Sequence, residues 1–435
     1  MTARPLLRSR ETRRVAIEKF APTGEGIART PDGTGFVSGS LPGEEVEVEM
    51  TERRARFWRG RVTELLAPSS QRRFGKHEDC AGCDWAPVDL SFARRAKRDL
   101  FLETMSRLGG LGAELFGDLP LEPSPGAYRL RARLHAAGRG ADLVLGYFAP
   151  RSHRIETAEN CESLSEQTRR WLPRLQNALR ASGASVSEIS IAEDRGAAAR
   201  IARIALAPGS DRRDAHALEA ALAGVIEGTV IVGEEGDRWS GSGSELLWHE
   251  VAGRNFAVAA DAFFQVNRHL LEPLYEHVRD AAQAKPGLAL DAFGGVGFFA
   301  GALLDSGHRV VSVESSSSAV ALAERARDRR PSARGDDWRI VHAAMRPFLS
   351  ARPESFDLAV VDPPRAGLGK ELATLLADRV RERIVYVSCE PATLARDLAV
   401  LRGRGYEIAH ARLFDLFAYT HRVEAVAVLV RSDSR

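Results

Sequence analysis

Cysteine is nearly absent from this chain: four residues in 435, at positions 80, 83, 161 and 389. So small a number suits metal ligands or a nucleophile better than disulfide partners, given the cytoplasmic setting expected for it. Lysine is rarer than its usual share, with five against 56 arginines. A net charge of +2 excludes a polycation. No run of about 18 apolar residues exists, so no helical membrane span is expected. The opening "MTARPLLRSRETRR" has none of the apolar stretch of a secretory signal. Internal repeats are missing, and Ser315 to Ser318 form the sole low-complexity tract.

What is present divides the chain. At 435 residues it exceeds one hydrophobic core, so two or three domains are expected. Short alternating runs broken by glycine, such as "TGFVSGSLPGEEVEVEM", fill residues 13 to 66. Five short strands there predict a small closed barrel of the oligonucleotide-binding type, over 10–68. "SSQRR" at 69 to 73 reads as a polar, basic linker. A central α+β region is expected over 69–255, opening with "CAGC" and a helix around 92 to 108. Beyond residue 256, apolar strands alternate with helices, which predicts an α/β, doubly wound and mostly parallel sheet.

The strand-to-helix turns of that last region carry the chemistry. "LALDAFGGVGFF" places Asp291, Gly294, Gly295 and Gly297 between a strand and a helix, where amides can meet a ligand. The next strand ends in Glu314, 23 residues after Asp291, where a carboxylate can accept from ribose hydroxyls. "VVDPPRAG" then sets Asp362 at the end of a further strand. "IVYVSCEP" sets Cys389 at another, beside a helix start expected to favour the thiolate. Glu424 lies inside the apolar strand "VEAVAVLV". A thiol, a base and a nucleoside cofactor suit methylation of carbon 5 of uracil, because addition of the thiol to carbon 6 makes carbon 5 nucleophilic. The base then removes the carbon 5 proton. An N-methyltransferase using "DPPR", or a non-catalytic RNA-binding protein, are the alternatives.

Across nearly its whole length the chain resembles the bacterial RNA 5-methyluridine methyltransferases, especially the larger 23S rRNA type with an N-terminal TRAM barrel. "YRLRARL" at 128, "DAFFQVN" at 261, "DAFGGVG" at 291, "VDPPRAGL" at 361, "YVSCEPATLARDL" at 386 and "FAYTHRVEAVAVL" at 417 carry the likeness. The resemblance implies a class I, Rossmann-like methyltransferase domain over 256–435. Cys389 would be the nucleophile and Glu424 the base. Gln265, Phe293, Glu314 and Asp362, with Gly295, would hold S-adenosylmethionine. Phe263 and Arg133 would handle the target base and its surroundings. The partner would be RNA, ribosomal rather than transfer RNA, for a monomer in the cytoplasm with no membrane contact.

Some positions depart from that pattern. Larger family members hold a [4Fe–4S] cluster on four cysteines, and Cys80, Cys83 and Cys161 match three of them. Phe74 stands at the first position, so the four-thiolate set is incomplete. A substitute ligand such as His77, a zinc site or no metal at all are the remaining options. Phe298 occupies a usual Asn position, implying one lost cofactor hydrogen bond, and Ala418 and Arg422 replace Pro and His.

Overall fold

The computed structural model describes residues 11–75, 82–149, 152–283, 285–329, 337–351 and 354–432. The N-terminal barrel has six strands rather than five. They lie in the order Thr12–Ala16, Glu45–Arg53, Phe57–Ala67, Gly33–Ser38, Gly26–Thr30 and Lys19–Phe20. The two edge strands are consecutive in the chain. Ile17 N donates to Glu44 O at 2.9 Å and Glu18 N to Ile27 O at 2.8 Å, so a two-residue step joins both edges and closes the barrel. Alternation decides the inside: Val46, Val48 and Met50 turn inward with Val15, Val37 and Trp58.

The linker after the barrel is not simply solvated. Arg72 is buried and pairs with buried Glu44 at 2.6 Å, pinning the connection to the barrel floor. Its charge is satisfied by that carboxylate and by Gly39 O, which accepts from it at 2.7 Å.

The stretch 69–255 is divided between two bodies. Helix Leu90–Gly109 starts on Asp89, whose carboxylate accepts from Ser91 N and Phe92 N, and ends at Gly110 in the left-handed region. Its Phe101 and Met105 pack with Leu111, Phe116 and Leu119 into the core of the C-terminal sheet. Strand Leu121–Glu122 is that sheet's edge, parallel to Leu413 and Phe414. A separate seven-stranded sheet contains Arg131–Ala137, Val186–Glu193 and Arg200–Leu206, covered by helices Glu166–Ser182 and Arg212–Leu222.

The C-terminal sheet has eight strands, in the order Trp338–His342, Arg309–Glu314, Leu288–Ala292, Phe356–Val361, Val380–Ser388, Glu424–Arg431, Tyr406–Phe414 and Leu121–Glu122. The first five run parallel, and Glu424–Arg431 enters antiparallel beside Val380–Ser388. Neighbouring residues of one strand serve opposite faces: Ala289 and Val310 belong to one core, Leu290 and Val311 to the other. Strands covered on both faces read as continuous apolar runs, and the doubly wound class I architecture is present.

Candidate active site

Four strand ends build the site. After Leu288–Ala292 the chain turns through Phe293, held at φ +62°, Gly295 at +53° and Gly297 at +86°. A Cβ on Gly297 would lie 2.4 Å from the Trp338 ring, so only glycine fits there. At Gly295 nothing lies within 4 Å of that place, which leaves the turn open to a ligand. Glu314, next along the edge, accepts from Gly295 N at 3.0 Å and Ser316 N at 2.7 Å. The carboxylate expected to face ribose hydroxyls therefore also fixes the glycine turn. Asp291 is buried below it, accepting from Ser312 Oγ at 2.9 Å, and burial lifts its pKa to about 7.

Register brings the other groups together. Ser388 pairs with Ala425, so Cys389 and Glu424 extend the same antiparallel ladder by one step. Val361 pairs with Ala292 on one side and Tyr386 on the other, which sets Asp362 between Phe293 and the Cys389 strand. Gln265 Nε2 donates to Asp362 Oδ2 at 3.2 Å. Glu424 is 4% exposed, and burial followed by the Asp362 charge raises it well above the ordinary carboxylate range. Burial and the Glu424 carboxylate raise Asp362's neighbour Cys389 to about 11, with Asp362 adding to them. Asp362 itself is lifted to about 7, first by burial and then by Asp291.

The thiol is thus pushed up, not down as the helix start suggested. The helix beside it, Pro391–Arg402, opens with a proline that has no N–H. The Glu390 amide is already donated to Ser388 Oγ at 3.2 Å. Burial, the largest cause, and the two carboxylates then raise the thiol. Arg365 and Arg422 act in the opposite direction on Cys389.

Two residues inside the quoted motifs proved structural and were not singled out from sequence. Asn267 is fully buried, donates to Ser124 Oγ at 2.8 Å and Leu416 O at 3.0 Å, and accepts from His269 N at 3.0 Å. Asp397 accepts from Tyr386 OH at 2.6 Å, Leu368 N at 2.7 Å and Gly369 N at 3.0 Å, tying the loop after Asp362 to the Cys389 helix. A polar residue inside an apolar helical pattern was the available signal for the second. Phe298 faces inward, with ring centroids 5.4 Å from Phe256 and 5.7 Å from Phe264.

Phe263 is 65% exposed. Arg133 stands on the seven-stranded sheet, 3.4 Å from Glu188. Both Arg133 and Arg203 pair with Ser190, so they share a face, and Arg203 reaches Asp261 at 3.3 Å. That ion pair links the Arg133 face to the loop of Phe263.

Cys80 and His77 lie outside the described residues. Phe74 offers no donor atom and is 69% exposed. Cys83 Sγ lies 3.0 Å from Ser163 Oγ, and Cys161 is buried. Among the described residues no group of three or more His, Cys, Asp or Glu is placed to hold a metal. The four-thiolate set is not met, since Phe74 stands at its first position.

The family profile described as tRNA (Uracil-5-)-methyltransferase matches residues 351–432, and the TRAM domain profile matches 7–63. A 23S rRNA (uracil(1939)-C(5))-methyltransferase of Dichelobacter nodosus is 30% identical over 94% of this chain and 96% of that protein. Its counterpart in Halomonas elongata is 31% identical over 97% of this chain and 90% of its own. The fold is that of Pyrococcus abyssi tRNA (uracil-54, C5)-methyltransferase, solved with S-adenosyl-L-homocysteine: TM-score 0.77, 22% identity, 96% of this chain and 99% of that one.

Proposed function

The chain belongs to the RNA uracil-C5 methyltransferase family, and from that premise we propose that it methylates carbon 5 of a uridine in structured RNA using S-adenosylmethionine, with 23S ribosomal RNA ahead of transfer RNA. One observation carries the reading: the ladder register that sets Cys389 beside Glu424, on the strand edge where Gln265 meets Asp362. An N-methyl transfer has use for neither the thiol nor the base. The ribosomal preference is supported by the two relatives named for 23S rRNA.

The residues suit the cofactor: an open glycine turn, the Glu314 carboxylate above it, and Asp362 with Gln265 at the next strand end. Phe293 projects from the same turn. When bound, S-adenosylmethionine supplies the methyl group that carbon 5 receives.

The chain's own residues handle the base and the protons. The target uridine must leave its stack to reach Cys389, and Phe263, exposed, and Arg133 are the groups proposed to receive it and its flanking phosphates. The partly exposed Cys389 thiol first loses its proton to water, which the Arg365 and Arg422 charges favour. Sulfur then bonds to carbon 6, and the ring's double-bond electrons move onto carbon 5 and the adjacent carbonyl oxygen. After methylation Glu424 takes the carbon 5 proton. That electron pair re-forms the ring double bond as the carbon–sulfur bond breaks and the thiolate returns. A buried carboxylate with a raised pKa is a stronger base for that proton than an exposed one.

The test compares mass-spectrometric maps of 5-methyluridine in ribosomal and transfer RNA from the parent strain and one lacking the gene. One missing mark in 23S rRNA is expected. Identical maps would overturn the proposal, and a mark lost from transfer RNA alone would overturn the ribosomal preference.

A further inference from the structure

We infer that Asp84 and Trp85 are positioning residues for Glu424, so that the barrel sets the geometry of the base as well as meeting RNA. The inference rests on the reading of Glu424 given above.

The residues before Glu424 form a loop held at both ends. At its start, buried Lys97 donates to Asp415 at 2.5 Å and to Phe417 O at 3.1 Å. Asn267 fixes Leu416 O between them. At its end, Trp85 N donates to Tyr419 O at 2.9 Å, and the His421 ring nitrogen Nδ1 donates to Asp84 Oδ2 at 2.5 Å. His421 N also reaches Asp84 Oδ1 at 3.3 Å. Only Arg422 and Val423 separate this clasp from Glu424, and Val423 is buried.

The clasp continues into the barrel. The Trp85 indole N–H donates to Gly24 O at 2.9 Å, and its ring lies 4.3 Å from Phe20. Gly24 has φ +86°, and a Cβ there would meet Asp84 Oδ2 at 2.4 Å and His421 Nδ1 at 2.8 Å. The barrel turn is thus shaped around the hydrogen-bonded Asp84–His421 pair. The clasped loop is also strained: Tyr419 is a non-glycine residue at φ +67°, a conformation that persists only where surroundings impose it. Ala418, fully buried against Cys83 and Tyr128, supplies part of that pressure. Loss of the clasp lets the loop relax, and Glu424 moves relative to Cys389.

The test uses the full-length enzyme with S-adenosylmethionine and ribosomal and transfer RNA from the strain lacking the gene. Five variants are compared: D84A, D84N, W85F, G24A and E424Q. A misplaced base slows elimination more than addition, so D84A, W85F and G24A should accumulate a covalent methylated RNA–protein adduct on denaturing gels. Their kcat should fall on the order of tenfold to a hundredfold, with KM for RNA within about twofold of the parent. D84N keeps an oxygen acceptor for His421 and should recover most of the rate. A rise in KM with unchanged kcat, or a fall in kcat with no adduct, overturns the inference. E424Q separates the two layers: adduct there but not in the clasp variants sinks the clasp alone. Absence of methyl transfer by the parent enzyme sinks the proposed function itself. Should D84A fold poorly, W85F decides, since it removes the indole N–H to Gly24 and keeps an aromatic ring, though a smaller one, against Phe20.

Discussion

Cys389 and Cys83 are both cysteines beside the loop that leads into Glu424, yet their surroundings are opposite. Cys389 is partly exposed at the end of a parallel strand, among carboxylates and two arginines that pull its proton in different directions. Cys83 is buried, touches Ser163, and packs with Ala86, Tyr128, Ala418 and Tyr419. The first environment sets opposing charges beside the thiol, and the second closes apolar side chains around it. The difference shows that a cysteine's role follows from where the fold puts it, not from its rarity in the chain.

The sharpest way to break this contrast is to remove each sulfur. C389A should abolish methyl transfer, since carbon 5 is not activated without addition at carbon 6. C83A should keep activity within about tenfold of the parent and cost about 1 to 2 kcal/mol of stability. Radiolabel transfer to RNA measures the first and denaturant unfolding the second. A folded C83A that is as inactive as C389A would erase the distinction and give Cys83 a share in the chemistry.

A second contrast separates the ligand edge from the core beneath it. Phe298 directly follows the glycine turn, yet its ring lies among Phe256, Phe264, Tyr275 and Phe299. F298A should therefore cost about 3 to 5 kcal/mol of stability. Binding of S-adenosylhomocysteine, read by calorimetry on the folded fraction, should change little by comparison. A stable F298A that has lost the ligand would place this position at the edge instead of in the core.

These contrasts mark what was legible in the sequence. Apolar runs ending in Glu314, Asp362 and Cys389 foretold the parallel sheet, because strands buried on both faces must be apolar and their polar residues appear where they emerge. The fold's discontinuities were not legible. Nothing in the local pattern of residues 90 to 122 says that they pack onto a sheet whose main strands begin at residue 288, since that contact is decided by tertiary burial. The six-strand count was missed because a two-residue step breaks one edge strand into two. Arg72, read as part of a polar, basic linker, has its partner 28 residues earlier at Glu44. The rise in the Cys389 pKa escaped for the same reason. A helix start is visible in sequence, whereas the burial of the thiol and the approach of Glu424 and Asp362 come only from packing and strand register.

That rise gives the mildest test, one of rate against pH. In the folded protein the thiol titrates near 11, against 9.0 for an unperturbed cysteine. Below that value each unit of pH changes the thiolate fraction about tenfold, and alkylating agents react with the thiolate. Labelling of Cys389 by iodoacetamide should accordingly climb about tenfold per unit from pH 7 to pH 10, while buried Cys83 and Cys161 stay protected. The linkage has a definite sign. The folded pKa is raised, so the unfolded chain loses this proton first. The thiol's contribution to stability is complete below pH 9 and disappears as pH climbs through 11. Mass spectrometry of tryptic peptides after timed labelling reads each cysteine separately. A Cys389 rate that levels off near pH 8 would mean that Arg365 and Arg422 outweigh the two carboxylates. The edge would then activate its thiol before any ligand arrives.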